Sequence, residues 1–502
     1  MTLIIHDNEK TMLELDQSTP PPPGNESMTA DSSTSEKASP VPSVDVSRDV
    51  ERQGGVVDTS LTSKERASAD EPPEGGFQAW TAVLGAWCCS FCCYGWINSE
   101  CPAWPSAIFF QSPPNCFVTN KGIGVFQAYY ETHQLKNYSS STISWITSLE
   151  IFFMLFMGPV VGKLYDRYGP RYILLFGSLA HVFGLMMASI SHKYYQFLLT
   201  QGVCDVYYGK KGLTADYECA LQALSAVATW FHHKRGLAFG ITMSGSSAGG
   251  VIFPIMINHL IPKVGFAWSM RIAAFMILGL LIIANLTVKT RTPPHPQPPM
   301  TLKEFFSPLT ERTYVLTAGG NFLFVFGLFI PINYLIVQAI AEGMSPSLAN
   351  YLIPILNAAS LFGRIIPGML SDKFGRYNIF VVVAFLTAIL ILALWIPASS
   401  NVGLTLFAGF FGFASGAFIS LGPALIAQIS PIHKIGIRQG LLFAVMSVAA
   451  LTTSPIGGTI VSQENGSFTG VKIFAGVMCF AGSTLALLAR FSAIGLNPMR
   501  KF

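Results

Sequence analysis

The chain has 502 residues, 51% of them hydrophobic and 12% charged, with a mean hydropathy of +0.47. A soluble chain is about 25% charged, so composition alone argues against a soluble enzyme. The net charge of +4 comes from 31 Lys+Arg against 27 Asp+Glu spread along the chain, which leaves nucleic-acid binding without a basic patch to support it.

Residues 1–73 are rich in Ser, Thr, Pro, Asp and Glu, include Pro20-Pro21-Pro22-Pro23 and hold almost no aromatic residue. Such a tail cannot bury enough apolar surface to offset its ordering entropy and is expected to be disordered. Ile4-Ile5 is followed at once by His6-Asp7, so no signal-peptide core develops and the N-terminus is expected in the cytosol. From Phe77 onward, apolar stretches of roughly 20 residues recur, the length that crosses a ~30 Å hydrocarbon core as helix. Twelve spans are predicted: 77–98, 141–164, 171–191, 194–231 (interrupted), 236–261, 267–288, 314–340, 346–371, 377–397, 402–429, 437–461 and 470–493. The fold class is therefore an all-α polytopic membrane protein with a six-span half over 74–288, a cytosolic linker 289–313, a second half over 314–495 and a short tail 496–502.

Sixteen Lys and Arg lie near the predicted ends on one side of the bilayer, against Lys136, Lys193, Lys263, Arg271 and Lys472 in regular loops on the other. The positive-inside rule then puts both termini in the cytosol, with the plasma membrane as the first expectation and the vacuolar membrane as the alternative. Cys88, Cys89, Cys92 and Cys93 have a spacing that a metal cluster could use, but inside the first span they read as small buried hydrophobes. No metal and no cofactor is expected.

The junction of spans two and three reads Gly162-Lys-Leu164-Tyr-Asp166-Arg167-Tyr-Gly169-Pro-Arg171, and 206 residues later that of spans eight and nine reads Gly368-Met-Leu370-Ser-Asp372-Lys373-Phe-Gly375-Arg376. A weaker echo sets Lys234 to Phe239 beside Arg438 to Phe443. Two duplicated halves are what a transporter with a midplane site requires. The G-x-L-x-D-[RK]-x-G loop, used twice with a basic residue one or two places on, resembles the hallmark of the major facilitator superfamily. Glu74-Gly75-Gly76-Phe77-Gln78-Ala79-Trp80, with Trp230 to Ala238, is similar to the monocarboxylate-porter branch and in detail to its fungal members. The resemblance covers about 74–495 and implies alternating access for small organic anions or related metabolites.

Gly162, Asp166, Arg167, Gly169 and Arg171, with Gly368, Asp372, Lys373 and Gly375, are the candidate conformational latch; hydrated loop charges are the simpler reading. Arg364 lies eight residues before Asp372, ~12 Å of helix inward, where an ionisable group is a functional candidate. Its fork can hold a carboxylate in two parallel bonds, and the family's eighth-span arginine implies substrate contact; bracing two helices is the alternative. The lactate carriers' aspartate and lysine fall here at Ser360 and Asn98, so both join the substrate-binding candidates while the usual proton-handling set is missing. Glu150 is the remaining candidate for a coupling proton, a hydrogen-bonded rim glutamate being the other reading. Gly245, Gly249 and Gly250, with Pro254, read as a packing seam with a possible bend. His232-His233 read as a solvated loop pair, and Asn137 and Asn465 open glycosylation sequons on the outer side.

Segments 100–122 and 206–219 depart from the pattern; they read as retained introns, or else as extracellular and re-entrant loops that shape the site. The expected function is secondary active transport of a small organic acid or related metabolite, possibly proton-coupled, by a monomeric unit in the lipid bilayer. The alternatives are an efflux carrier for a fungal secondary metabolite and, from another class, a transporter-like nutrient sensor. No catalytic constellation appears, so enzyme activity is not expected.

Overall fold

In hydrocarbon an apolar run has no hydrogen-bond partner for its backbone except itself, and the runs close into helices. The computed structural model describes residues 74–100, 129–138, 140–203, 218–291 and 302–495, and no strand occurs among them. The tails 1–73 and 496–502, and nearly all of the segments 100–122 and 206–219, lie outside the described residues.

Helix α1 is Phe77–Glu100. Helix α2 has two pieces, Ser140–Phe156 and Gly158–Tyr168, bent by 40°. Helix α3 is Pro170–Ala188. Helix α4 is Tyr194–Phe197 running into a π-helical turn Leu198–Val203, then resumes as Glu218–Ala228. Glu218 and Cys219 thus belong to helix, two residues earlier than expected, and the Cys219 thiol is buried on the Ile173 and Leu174 carbonyls. The stretch Arg235–Thr287 turns at Gly265 (φ 79°, ψ 166°), which divides it into α5 (235–264) and α6 (266–287). Helix α5 continues through Pro254. Helices α7 Arg312–Ala341, α8 Leu352–Phe374, α9 Arg376–Trp395, α10 Asn401–Gln428, α11 Ile435–Gln463 and α12 Thr469–Ile494 complete the order. Nine of these stretches are long and apolar enough to cross a membrane, and α2 is one further span if its bent pair counts as one. With Arg235–Thr287 counted as two crossings and the divided α4 as one, the order has the twelve-span pattern.

The buried apolar side chains follow the same division. One cluster runs from Ala79 to Val288 and reaches only Ala424, Ala427, Ile435 and Phe443 in the second half, while another runs from Phe324 to Ala489. Outward faces stay apolar: Leu286, Val382 and Val402 are 62–70% exposed, which water would penalise and lipid tails do not.

The α5 glycines are a seam. A Cβ on Gly249 would lie 2.6 Å from the Phe91 carbonyl oxygen and 2.7 Å from Gly95 Cα of α1, and one on Gly250 would lie 2.8 Å from the Asn357 side chain of α8. Gly245 meets the Trp87 carbonyl. Gly279 has nothing within 4 Å. Gly249→Val is therefore expected to cost on the order of 1–3 kcal/mol by overpacking, read as a lower melting midpoint of the purified chain, whereas Gly279→Ala should leave the midpoint unchanged.

Candidate functional site

The first amide groups of a helix have no partner inside it, and the helix dipole makes that end favour a carboxylate. Two aspartates use this across the halves. Asp166, at the end of α2, accepts from the Gly436 and Ile437 amides of α11 at 3.1 and 3.0 Å. Asp372, at the end of α8, accepts from the Gly236 and Leu237 amides of α5, both at 2.8 Å. Glycines permit the approach: a Cβ on Gly368 would lie 2.6 Å from the Gly236 carbonyl oxygen, and one on Gly158 would lie 2.8 Å from that of Gly440. Gly162 likewise meets the Gly436 carbonyl, and Gly240 that of Arg364. The equivalent stretches are thus 235–240 and 435–440, one helical turn away from the echo read in the sequence. Gly169 (φ 74°) and Gly375 (φ 95°) take the backbone conformation that side chains avoid and start α3 and α9 in a new direction.

The basic candidates of this loop fare differently. Arg167, Arg171 and Lys373 are exposed, with Arg167 and Lys373 over the neighbouring rings of Tyr168 and Phe374. Arg376 is the buried cation instead, paired with Asp372 at 3.4 Å and donating to the His232 carbonyl. Arg235 donates to the Ala427 carbonyl of α10 at 2.9 Å, and Ser225 of α4 donates to Gln439 of α11 at 2.9 Å, both across the halves. Arg438 forks onto Glu311, just before α7.

Glu74 explains the paired signatures at the mouth of α1 and between α4 and α5. Its carboxylate accepts from the amides of His232 and His233 at 2.6 Å and of Lys234 at 2.9 Å, while the Trp80 ring meets Phe231 edge-on at 5.2 Å. Partial burial works to raise its pKa, but the three amide bonds outweigh burial and hold the carboxyl below its usual 4.5. Burial, and then Arg235 and Arg376, push the His232 pKa down. Ligand atoms of Glu74, His232 and His233 lie within 4.8 Å of one another, yet the glutamate oxygens are engaged as a cap.

Between the halves lies a cavity lined from α1, α2 and α5 on one side and α7, α8, α10 and α11 on the other. Arg364 is the one charged lining residue among those described, with Tyr94, Asn98, Ser246 and Asn321 polar beside it. The rest of the wall is aliphatic, thioether and aromatic, including Met154, Met243, Phe329, Phe418, Phe443 and Met446. Arg364 is 3% exposed; its Nε donates to Ser360 Oγ at 3.2 Å, and its Nη1 donates to the Met243 carbonyl and to Ser246 Oγ. Asn98 donates to the Ser246 carbonyl at 3.3 Å, so α1, α5 and α8 share one polar knot. Ser360 stands behind the arginine and not in the lining. Glu150 is fully buried and does not line the cavity, although Ile151 does. Asn137 and Asn465 are exposed, beyond the starts of α2 and α12, at the end opposite Asp166. The four α1 cysteines are buried in the core.

Ser246, Asn321, Arg376 and Glu311 escaped the sequence reading. Isolated polar residues in apolar helices carry no spacing signal, and backbone amides, which are the partners of Asp166 and Asp372, carry none at all.

Two helical halves closing on a shared central cavity, with carboxylates capping the opposite half's helices, define a polytopic membrane carrier. The description "Major Facilitator Superfamily" matches residues 80–209 and 317–494, and the chain belongs to that family. It is 53% identical over 433 residues, 86% of this chain and 91% of the relative, to the MFS transporter asaE of Aspergillus flavus. It is 45% identical to the fujikurins efflux protein of Gibberella fujikuroi, covering 86% of this chain and 87% of that one. In fold it is similar to the transporter FucP in its outward conformation, with a TM-score of 0.60 at 15% identity over 82% of this chain and 98% of FucP.

Two outcomes follow. Asp166→Asn keeps the volume but presents an amide N–H to a donor, so transport should fall at least several-fold while the protein still reaches the membrane; undiminished transport would make Asp166 an ordinary loop charge. Glu74 has a depressed folded pKa, so its cap contributes fully above about pH 4.5 and is lost as pH falls through the folded value. Glu74→Gln should remove that acid-side slope from the melting midpoint of the purified chain.

Proposed function

We propose that the chain exports an amphiphilic metabolite, a largely apolar body carrying one anionic or strongly accepting group, by alternating access through the central cavity. The observation that carries this reading is the apolar, aromatic and thioether wall around Arg364, the single cation among the described lining residues. A two- or three-carbon acid would leave that wall unfilled, whereas a larger apolar body would exchange it for hydrocarbon contact worth about 25 cal/mol per Å². The name of the Gibberella fujikuroi relative as a fujikurins efflux protein supports the same direction. The Glu74 to Trp80 and Trp230 to Ala238 signatures resemble those of the monocarboxylate-porter branch, and the relatives named as efflux proteins favour a larger cargo than that branch's small acids.

On this reading the end carrying Asp166 and Asp372 faces the cytosol, both termini lie there, and the plasma membrane is the site of export. The two aspartate caps then hold that end closed while the cavity faces outward. Glu150, one residue before the cavity-lining Ile151, is the acid through which proton coupling would run. Tags at Met1 and Phe502 should be protected from protease in intact cells, and digestion of either one would reverse the topology.

In a producing strain without the gene, a metabolite of this chemistry should accumulate in cells and fall in the medium; an unchanged partition of every metabolite would contradict export. Arg364→Lys should restore little export although the charge is kept, because one ammonium cannot make two parallel bonds. The apparent affinity should fall about thirty-fold to a thousand-fold, or ~2–4 kcal/mol. Normal affinity in Arg364→Ala at normal surface abundance would reduce Arg364 to a brace between α5 and α8.

A further inference from the structure

Asn321, on α7, is 1% exposed and lines the cavity on the side formed with α10. Its amide nitrogen donates to the Thr317 carbonyl one turn back at 2.7 Å, which sets the side chain the right way round for its oxygen to face away from its own helix. That oxygen receives no hydrogen bond from any described residue. Gly422 of α10 stands opposite: a Cβ there would lie 2.9 Å from Asn321 Oδ1, so the missing side chain keeps the oxygen open to the cavity. An acceptor left open at the cavity wall takes its donor from whatever the cavity holds.

We propose that Asn321 Oδ1 is a specificity contact that accepts a hydrogen bond from an N–H or O–H of the transported molecule. The cavity then has two unlike poles. Arg364 and Asn98 form a cationic and polar pole on the α1–α5–α8 side, and Asn321 presents an acceptor from the α7–α10 side. The matching cargo carries an amide N–H or a hydroxyl as well as its anionic group, both on one apolar body. This deepens the export reading and rests on it. A site built to receive a donor rejects the analogue that lacks it, because the acceptor is then buried unpaired.

Two probes isolate the contact. N-decanoylglycine and N-decanoyl-N-methylglycine share the carboxylate and the ten-carbon chain and differ in the amide N–H alone; their own conformational difference is the same against every variant and cancels in the change of ratio. Binding to the purified full-length chain should favour the N–H probe about five-fold to thirty-fold. Asn321→Leu should bring the ratio close to one. Gly422→Ala, whose Cβ would come within 2.9 Å of Asn321 Oδ1 and so blocks that oxygen or turns it away from the cavity, should do the same and decides the question if Asn321→Leu does not fold. Arg364→Lys should weaken both probes and leave the ratio standing. A purely structural role for Asn321 would shift both probes together. Equal binding of the two probes by the unaltered chain, or a preference that survives Asn321→Leu or Gly422→Ala, overturns the assignment of Asn321 alone. Binding of neither probe overturns the amphiphilic-anion reading of the cavity, and this inference with it.

Discussion

Two carboxylates, each spent on the amide end of a helix from the other half, are the constraint on which the rest of the arrangement depends. Charge-assisted bonds to a helix start satisfy two orphan donors at once and are favoured by the dipole. They require backbone approach that any β-carbon would block, hence Gly162 against Gly436 and Gly368 against Gly236. On the α5–α8 seam the cap, the contact of Gly240 with the Arg364 carbonyl, and the Arg364 side chain on Met243 and Ser246 follow one another along the same helix pair. Movement at the cap is therefore movement at the cavity's only described cation.

The duplication has diverged in a way that divides the work. At the 206-residue spacing, Arg364 corresponds to Gly158 and Arg376 to Pro170. The α2–α11 seam keeps bare glycine packing, with Gly158 on Gly440, where the α5–α8 seam carries a guanidinium into the cavity. Asp372 adds to its two backbone amides an arginine, Arg376, from the start of α9, whereas Asp166 is held through the amides of Gly436 and Ile437. Symmetry sets the closure and asymmetry sets the chemistry.

The helices were legible because an apolar run of bilayer length has few alternatives, and the duplication was legible because glycine and aspartate recur at fixed offsets. The caps were legible only by half. Asp166 and Asp372 stand out as repeated charges, but Gly436 and Gly236 contribute amides, which every residue has. Adjacent basic residues suggested that Arg167 and Lys373 complete the pairing, yet one position along a helix turns a side chain by about 100°, and both face outward while Arg376 turns in. The cavity was the least legible part. Asn98 and Arg364 were found through position and resemblance, whereas Ser246 and Asn321 become visible only when seven helices are brought around one space.

The dependence of closure on the caps can be measured directly as a distance. Site-specific spin labels at exposed positions 163 and 432, on α2 and just before the start of α11, report the separation of the halves at the capped end. Removing both caps with Asp166→Asn and Asp372→Asn should shift the distance distribution to longer values at that end. A distribution unchanged from the unaltered chain would contradict a closure held by carboxylates on helix starts.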